Sequence, residues 1–252
     1  MIATLTNERA RRPSNTSISG TSVLPQWAPS ALGRDSHLVF ATEPTGIAAD
    51  QYRKAAKRLD TSGVGRKLLV TSPGQQDGKS TTASNLAWAL SERGQSVLLV
   101  ELDLRRPTLS NIFPGLRATV GIDDVLNEAG QPEHMICRVK DTTLDVACVH
   151  RAQHNAARLI QSAALKNTLT WCQSQYDWLV LDTPPVLAVA DTLELLSHAD
   201  PALLVIRARS TRTALVRPAI EMLGPSLKHV LFNHCEMPSH SHYYSYMAPK
   251  SV

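Results

Sequence analysis

The chain has 252 residues, 43% of them hydrophobic and 19% charged, with a formal net charge of +4; this suits one α/β domain of about 200 residues with a sizeable core, plus tails. Its basic residues are dispersed among acids, which gives no sign of a nucleic-acid surface, and its four widely spaced cysteines form no C-x-x-C pair, so neither a zinc site nor a disulfide framework is indicated and a reducing cytoplasm is the simpler setting. No segment approaches the roughly 18 to 20 apolar residues of a membrane span, and the first residues lack the apolar stretch of a signal peptide, so any membrane role is expected to run through a partner.

Residues 1–36 are rich in Ser, Thr, Arg, Pro and Gly without periodicity and read as a flexible leader. Ile47 to Leu59 is made of helix formers with a basic face, a short surface helix broken by Gly63 and Gly65. A first strand is expected at Lys67–Thr71, a turn at Ser72–Gly78 and a helix from Ser80 to Arg93, stopped by Gly94. Further apolar runs at Ser96–Leu102, Leu144–Cys148 and Asp177–Asp182 read as buried strands, and Ala202–Arg207 and His229–Phe232 as two more strands, with a helix near Thr213–Leu223. Strand and helix alternate, which predicts a doubly wound, mostly parallel sheet flanked by helices in the manner of P-loop NTPases. The domain is expected over 37–236, followed by a polar, aromatic tail over 237–252.

The segment SPGQQDGKST, Ser72 to Thr81, lies between strand and helix, where backbone N–H groups and the helix dipole hold a polyphosphate. Gly78 permits close backbone approach, Lys79 reaches the β and γ groups, and the Ser80 hydroxyl suits Mg²⁺. Pro73 occupies the first position of G-x-x-x-x-G-K-[ST], with Gly74 one place late. The expected nucleotide contacts are Gly74, Asp77, Gly78, Lys79, Ser80 and Thr81. Asp182 ends the strand WLVLD, from which a carboxylate can reach the Mg²⁺ shell, and the i, i+2 spacing of Glu101 and Asp103 puts both side chains on one face of an extended segment, converging near the metal. The metal set is thus Ser80, Glu101, Asp103 and Asp182, with one acid free to accept a proton; which acid does which is open. The competing reading of Glu101 and Asp103 is a strand end paired with Arg105 and Arg106.

Together SPGQQDGKSTTASNLA, VLLVELDLRRP and YDWLVLDTPP resemble the bacterial tyrosine kinase family, the P-loop autokinases of capsule and exopolysaccharide synthesis, with weaker likeness at GIDDVL, ADTLEL, LLVIRA and VLFN. The resemblance runs from about residue 38 to the end. It implies ATP and Mg²⁺ as cofactors, roles for Lys79, Ser80, Glu101, Asp103 and Asp182 in binding, metal ligation and proton removal, and phosphorylation of Tyr243, Tyr244 and Tyr246 between neighbouring subunits. It also implies a homo-oligomer with tail exchange, a membrane adaptor or co-polymerase as partner, an opposing phosphatase, and a cytoplasmic domain held at the membrane by that adaptor. A non-kinase ATPase switch docking on the same co-polymerase is the alternative.

Three departures mark this chain. Glu101 stands where the family usually has Asp, and the helix that carries Glu-x-x-Arg-x-x-Arg in the family reads Asp50, Arg53 and Ala56. Position 74 is Gly, so the signature lysine of the related partitioning ATPases is missing. Where a GTPase would show N-K-x-D the chain has Asn233-His234-Cys235-Glu236, so adenine is the expected base, with Asn233 as its candidate contact. His234, His240 and His242 read as a solvated polar stretch with no metal of their own.

Overall fold

The computed structural model describes residues 24–33, 36–63 and 65–235. Eight strands form one sheet: β1 Gln26–Trp27, β2 Lys67–Thr71, β3 Val97–Glu101, β4 Cys137–Val139, β5 Leu144–Ala147, β6 Trp178–Asp182, β7 Ala202–Arg207 and β8 Leu227–Asn233. Their order is β1-β4-β5-β3-β6-β2-β7-β8, and every pairing is parallel except that of β4 with β5. The predicted doubly wound architecture is present, and all six strands expected from the apolar runs form within one or two residues of their predicted limits.

The central strands are apolar without a break because both faces are covered. Leu68 and Val70 point into a core shared with Leu86 and Leu90 of the helix Lys79–Ser91. Leu69, one residue out of phase, enters a second core with Leu165 and Leu169 of the helix Ala163–Gln175. The period-2 alternation therefore sorts one strand's side chains between two helical layers. The helix expected from Ile47 spans Ile47–Thr61 and buries Ala49, Ala56 and Leu59. Its Arg53 is held within the chain by both carboxylate oxygens of Glu92, at 2.7 and 2.9 Å, by the Pro44 carbonyl, and by the Phe40 ring 5.1 Å away. Among the described residues no helix is long and apolar enough to cross a membrane.

The expected leader is corrected over 24–33. Strand β1 pairs with β4 there, with Arg138 N donating to the Pro25 carbonyl and Lys140 N to that of Trp27, both at 2.8 Å. The cause is one aromatic residue: Trp27 is 3% exposed, meets the Phe113 ring edge-on at 5.1 Å, and its indole N–H donates to the Pro114 carbonyl at 2.9 Å. Trp27→Ala is expected to lower unfolding free energy by about 3–5 kcal/mol in urea denaturation. A loss below about 1 kcal/mol would show that this strand adds little to the domain.

Candidate nucleotide site

The site forms where three strands end together. Strand β6 lies between β2 and β3, with Asp182 opposite Val70 on one side and Glu101 on the other. The loop leaving β2 therefore turns over the ends of β3 and β6, and the helix that follows opens at Lys79 with Gly78 as its N-cap. No side chain caps that helix, so its first-turn N–H groups stay available to an anion, as helix N-termini allow.

The loop is braced from inside and outside. Asp77, expected to touch nucleotide, turns its carboxylate inward: it accepts from Gly74 N at 3.0 Å and from the Thr211 hydroxyl at 2.7 Å. Asp77 is 5% exposed, and only its backbone is offered to a phosphate. Gln76 and Gly78 have φ of 63° and 89°, so the backbone reverses twice within three residues. Arg207 donates to the Gln76 carbonyl at 3.2 Å, and Asn233 Nδ2 to the Asp77 carbonyl at 3.2 Å while lying against the Gly78 Cα. Thr211 and Arg207 are contributions that local sequence does not announce, since they reach the loop across 134 and 131 residues. Thr81 and Asn233 line a groove of about 1500 Å³ that runs beside the loop, between the helix Ile47–Thr61 and β8.

Four of the expected residues converge. Lys79 Nζ stands 3.1 Å from Asp103 Oδ2, 3.6 Å from Asp182 Oδ1 and 3.1 Å from Ser80 Oγ, to which it donates. Burial works to lower the lysine's pKa, but the charges of Asp182 and Asp103 outweigh it and raise the value, so the ammonium is secure. Asp182 is 0% exposed and neither of its oxygens completes a hydrogen bond. Burial pushes its carboxyl above the usual range, against the pull of Lys79 and the nearby Ser80 hydroxyl. Its counter-ion is the Lys79 ammonium at 3.6 Å, an ion pair that leaves both oxygens able to accept from a further cation. Ser80, Asp103 and Asp182 are hard oxygen donors that fit Mg²⁺, which takes one or two carboxylates and fills its octahedron with phosphate and water oxygens. Among the described residues there is no cluster of three or more His, Cys, Asp or Glu that could hold a metal ion.

Glu101, expected with the metal ligands, is placed differently. Its Oε1 accepts from the backbone N–H groups of Thr108 and Leu109, at 2.5 and 2.8 Å, and its Oε2 from Val149 N at 2.9 Å. The strand ends at Glu101, so the i, i+2 rule does not carry on to Asp103, and the longer glutamate side chain bonds neighbouring backbone instead. Full burial pushes its pKa up to about 7, against these backbone donors. The alternative pairing with arginines is also absent: Arg105 grips Asp191 at 2.7 Å, and Arg106 meets Asp103 only through its backbone N–H at 3.1 Å. Tyr243, Tyr244, Tyr246, His240 and His242 lie outside the described residues.

A parallel sheet, a lysine-bearing loop at the ends of its middle strands and an orphaned aspartate beside it define a P-loop nucleotide-binding protein. Residues 75–217 match the family model described as AAA domain. The chain is 32% identical over 213 residues to the tyrosine-protein kinase YwqD of Bacillus subtilis, covering 82% of this chain and 90% of that one. It is 30% identical over 206 residues to the putative tyrosine-protein kinase EpsB of Ralstonia solanacearum, covering 79% of this chain but 27% of EpsB. The kinase domain of the Escherichia coli tyrosine kinase ETK superimposes with a TM-score of 0.74 at 23% identity, over 81% of this chain and 82% of that one, a likeness of fold. The chain belongs to the AAA-domain proteins and, within them, to the bacterial tyrosine kinase family.

Proposed function

We propose that the chain is a MgATP-dependent protein tyrosine autokinase of the non-specific protein-tyrosine kinase class, acting in trans on Tyr243, Tyr244 and Tyr246 of a neighbouring copy. The observation that carries this reading is the orphaned Asp182 carboxylate beside Lys79 and Ser80, in a chain whose relatives bear kinase names. The Gly78 to Thr81 backbone and Lys79 bind the β- and γ-phosphates. Ser80, Asp103 and Asp182 would hold Mg²⁺, which would supply neutralisation of phosphate charge. The tyrosine oxygen attacks the γ-phosphorus in line, forming the O–P bond as the bond to the β-γ bridging oxygen breaks and the electron pair leaves with ADP. We assign the phenolic proton to Asp103.

The groove beside the loop suits the base and ribose, with Asn233 at its inner end. The biological setting we propose is control of capsule or exopolysaccharide polymerisation and export, with a membrane adaptor of the co-polymerase type holding this domain at the membrane. A homo-oligomer that exchanges tails would deliver the tyrosines, and a phosphatase would reset them. Each phosphotyrosine adds about two negative charges, enough to repel neighbouring tails.

Incubating the purified chain with MgATP and probing phosphotyrosine tests the reading. Wild type is expected to label, and a chain truncated after Pro238 to hydrolyse ATP without labelling itself. Hydrolysis by wild type with no tyrosine label would select the non-kinase ATPase switch.

A further inference from the structure

Thr108 belongs to none of the phosphate or carboxylate motifs. It is the N-cap of the short helix Leu109–Ile112, yet its hydroxyl does not cap that helix. A threonine at this position ordinarily accepts from an N–H one turn on. Here Thr108 Oγ1 donates instead to Ser80 Oγ at 2.9 Å. The capping duty falls to Glu101, whose Oε1 accepts from the N–H groups of both Thr108 and Leu109, while Oε2 anchors Val149 on the neighbouring strand end. Glu101 and Leu109 are each 0% exposed, so water does not compete for these bonds.

The Ser80 oxygen consequently receives two donors, Lys79 and Thr108. A serine hydroxyl has three staggered rotamers, and only some direct its oxygen toward Asp103 and Asp182. With Glu101 fixing the backbone of Thr108, the threonine hydroxyl selects among them. We infer that Thr108 is a positioning residue of the phosphate and Mg²⁺ site, and that Glu101 serves the site through Thr108, as a backbone clamp, without touching metal or tyrosine. The inference rests on the nucleotide reading above and adds to it two residues with a division of labour: Asp103 and Asp182 face the cation, and Glu101 and Thr108 hold the serine that joins them.

The test is binding of a fluorescent, non-hydrolysable ATP analogue to the full chain, titrated with and without Mg²⁺, alongside thermal melting. Thr108→Val is nearly isosteric and deletes only the donor; it is expected to lose about 3- to 10-fold of the Mg²⁺-dependent gain in affinity, the worth of one hydrogen bond, with Mg²⁺-free affinity and melting temperature kept. Thr108→Ser is expected to restore the gain. Glu101→Asp installs the residue usual in the family but draws the carboxylate back by one methylene; a clamp acting through Thr108 loses Mg²⁺-dependent affinity on this change in the wild-type background and little more in Thr108→Val, whereas a direct metal ligand loses it equally in both. Wild-type behaviour in Thr108→Val, failure of Thr108→Ser to rescue, or an undiminished Mg²⁺ response in Glu101→Asp or an equal loss in both backgrounds each overturns the inference while leaving the nucleotide reading intact. Absence of any Mg²⁺-dependent binding by wild type overturns both.

Discussion

Phosphotyrosine formation is expected to fall about 10²- to 10³-fold in Lys79→Met, the loss typical when a preorganised charge facing a transferring group is removed. The ammonium is held between Asp103 and Asp182, and in the function we propose it faces the γ-phosphate. In the resting protein the same substitution leaves those two acids without their counter-ion. Burial already pushes the Asp182 carboxyl up, and the chain can therefore answer by taking a proton in place of unfolding. A folded-state carboxyl raised above its unfolded value binds a proton that the unfolded chain releases, so its contribution is present at low pH and is lost as pH rises above the ordinary value of 3.8. Melting of Lys79→Met should accordingly deteriorate with rising pH more steeply than that of wild type. Retention of more than about a tenth of the labelling rate would remove Lys79 from the chemistry.

Gly78→Ala is expected to reduce ATP affinity by at least about 10-fold and to destabilise the fold, through two separable effects. Gly78 has φ of 89°, a left-handed value that costs a non-glycine residue about 1–2 kcal/mol. Any Cβ there also collides with the Asn233 amide nitrogen that braces the loop. Adding Asn233→Ala relieves the collision but not the backbone strain, so the double variant should recover part of the lost stability while remaining weak for nucleotide. A double-mutant cycle measured by urea unfolding and nucleotide binding separates the two effects. Strict additivity of Gly78→Ala and Asn233→Ala would mean that the two side chains do not meet.

Much of this protein can be read from its residues because its central strands are buried on both faces. Five runs such as KLLVT and WLVLD stand out for that reason, and with them the strand end that carries Asp182 and the segments after β2 and β3 that carry Lys79 and Asp103. Strands β1 and β4 are two and three residues long, too short to show a period, and β1 is anchored by the contacts of Trp27 with Phe113 and the Pro114 carbonyl. Residue type does not tell how the carboxylates of Asp77 and Glu101 are engaged: both accept hydrogen bonds, and partners of each lie far off in sequence, Thr211 for Asp77 and Val149 for Glu101. Helical pattern likewise announces Ile47–Thr61 but not that Arg53 spends its guanidinium on Glu92 of its own chain.

Asn233 closes β8 opposite Arg207 and at the same time props the phosphate loop. The last residue of β8 is thus a joint between the sheet's edge and the phosphate loop. One side chain ties the two together, so a displacement of either is passed to the other through Asn233.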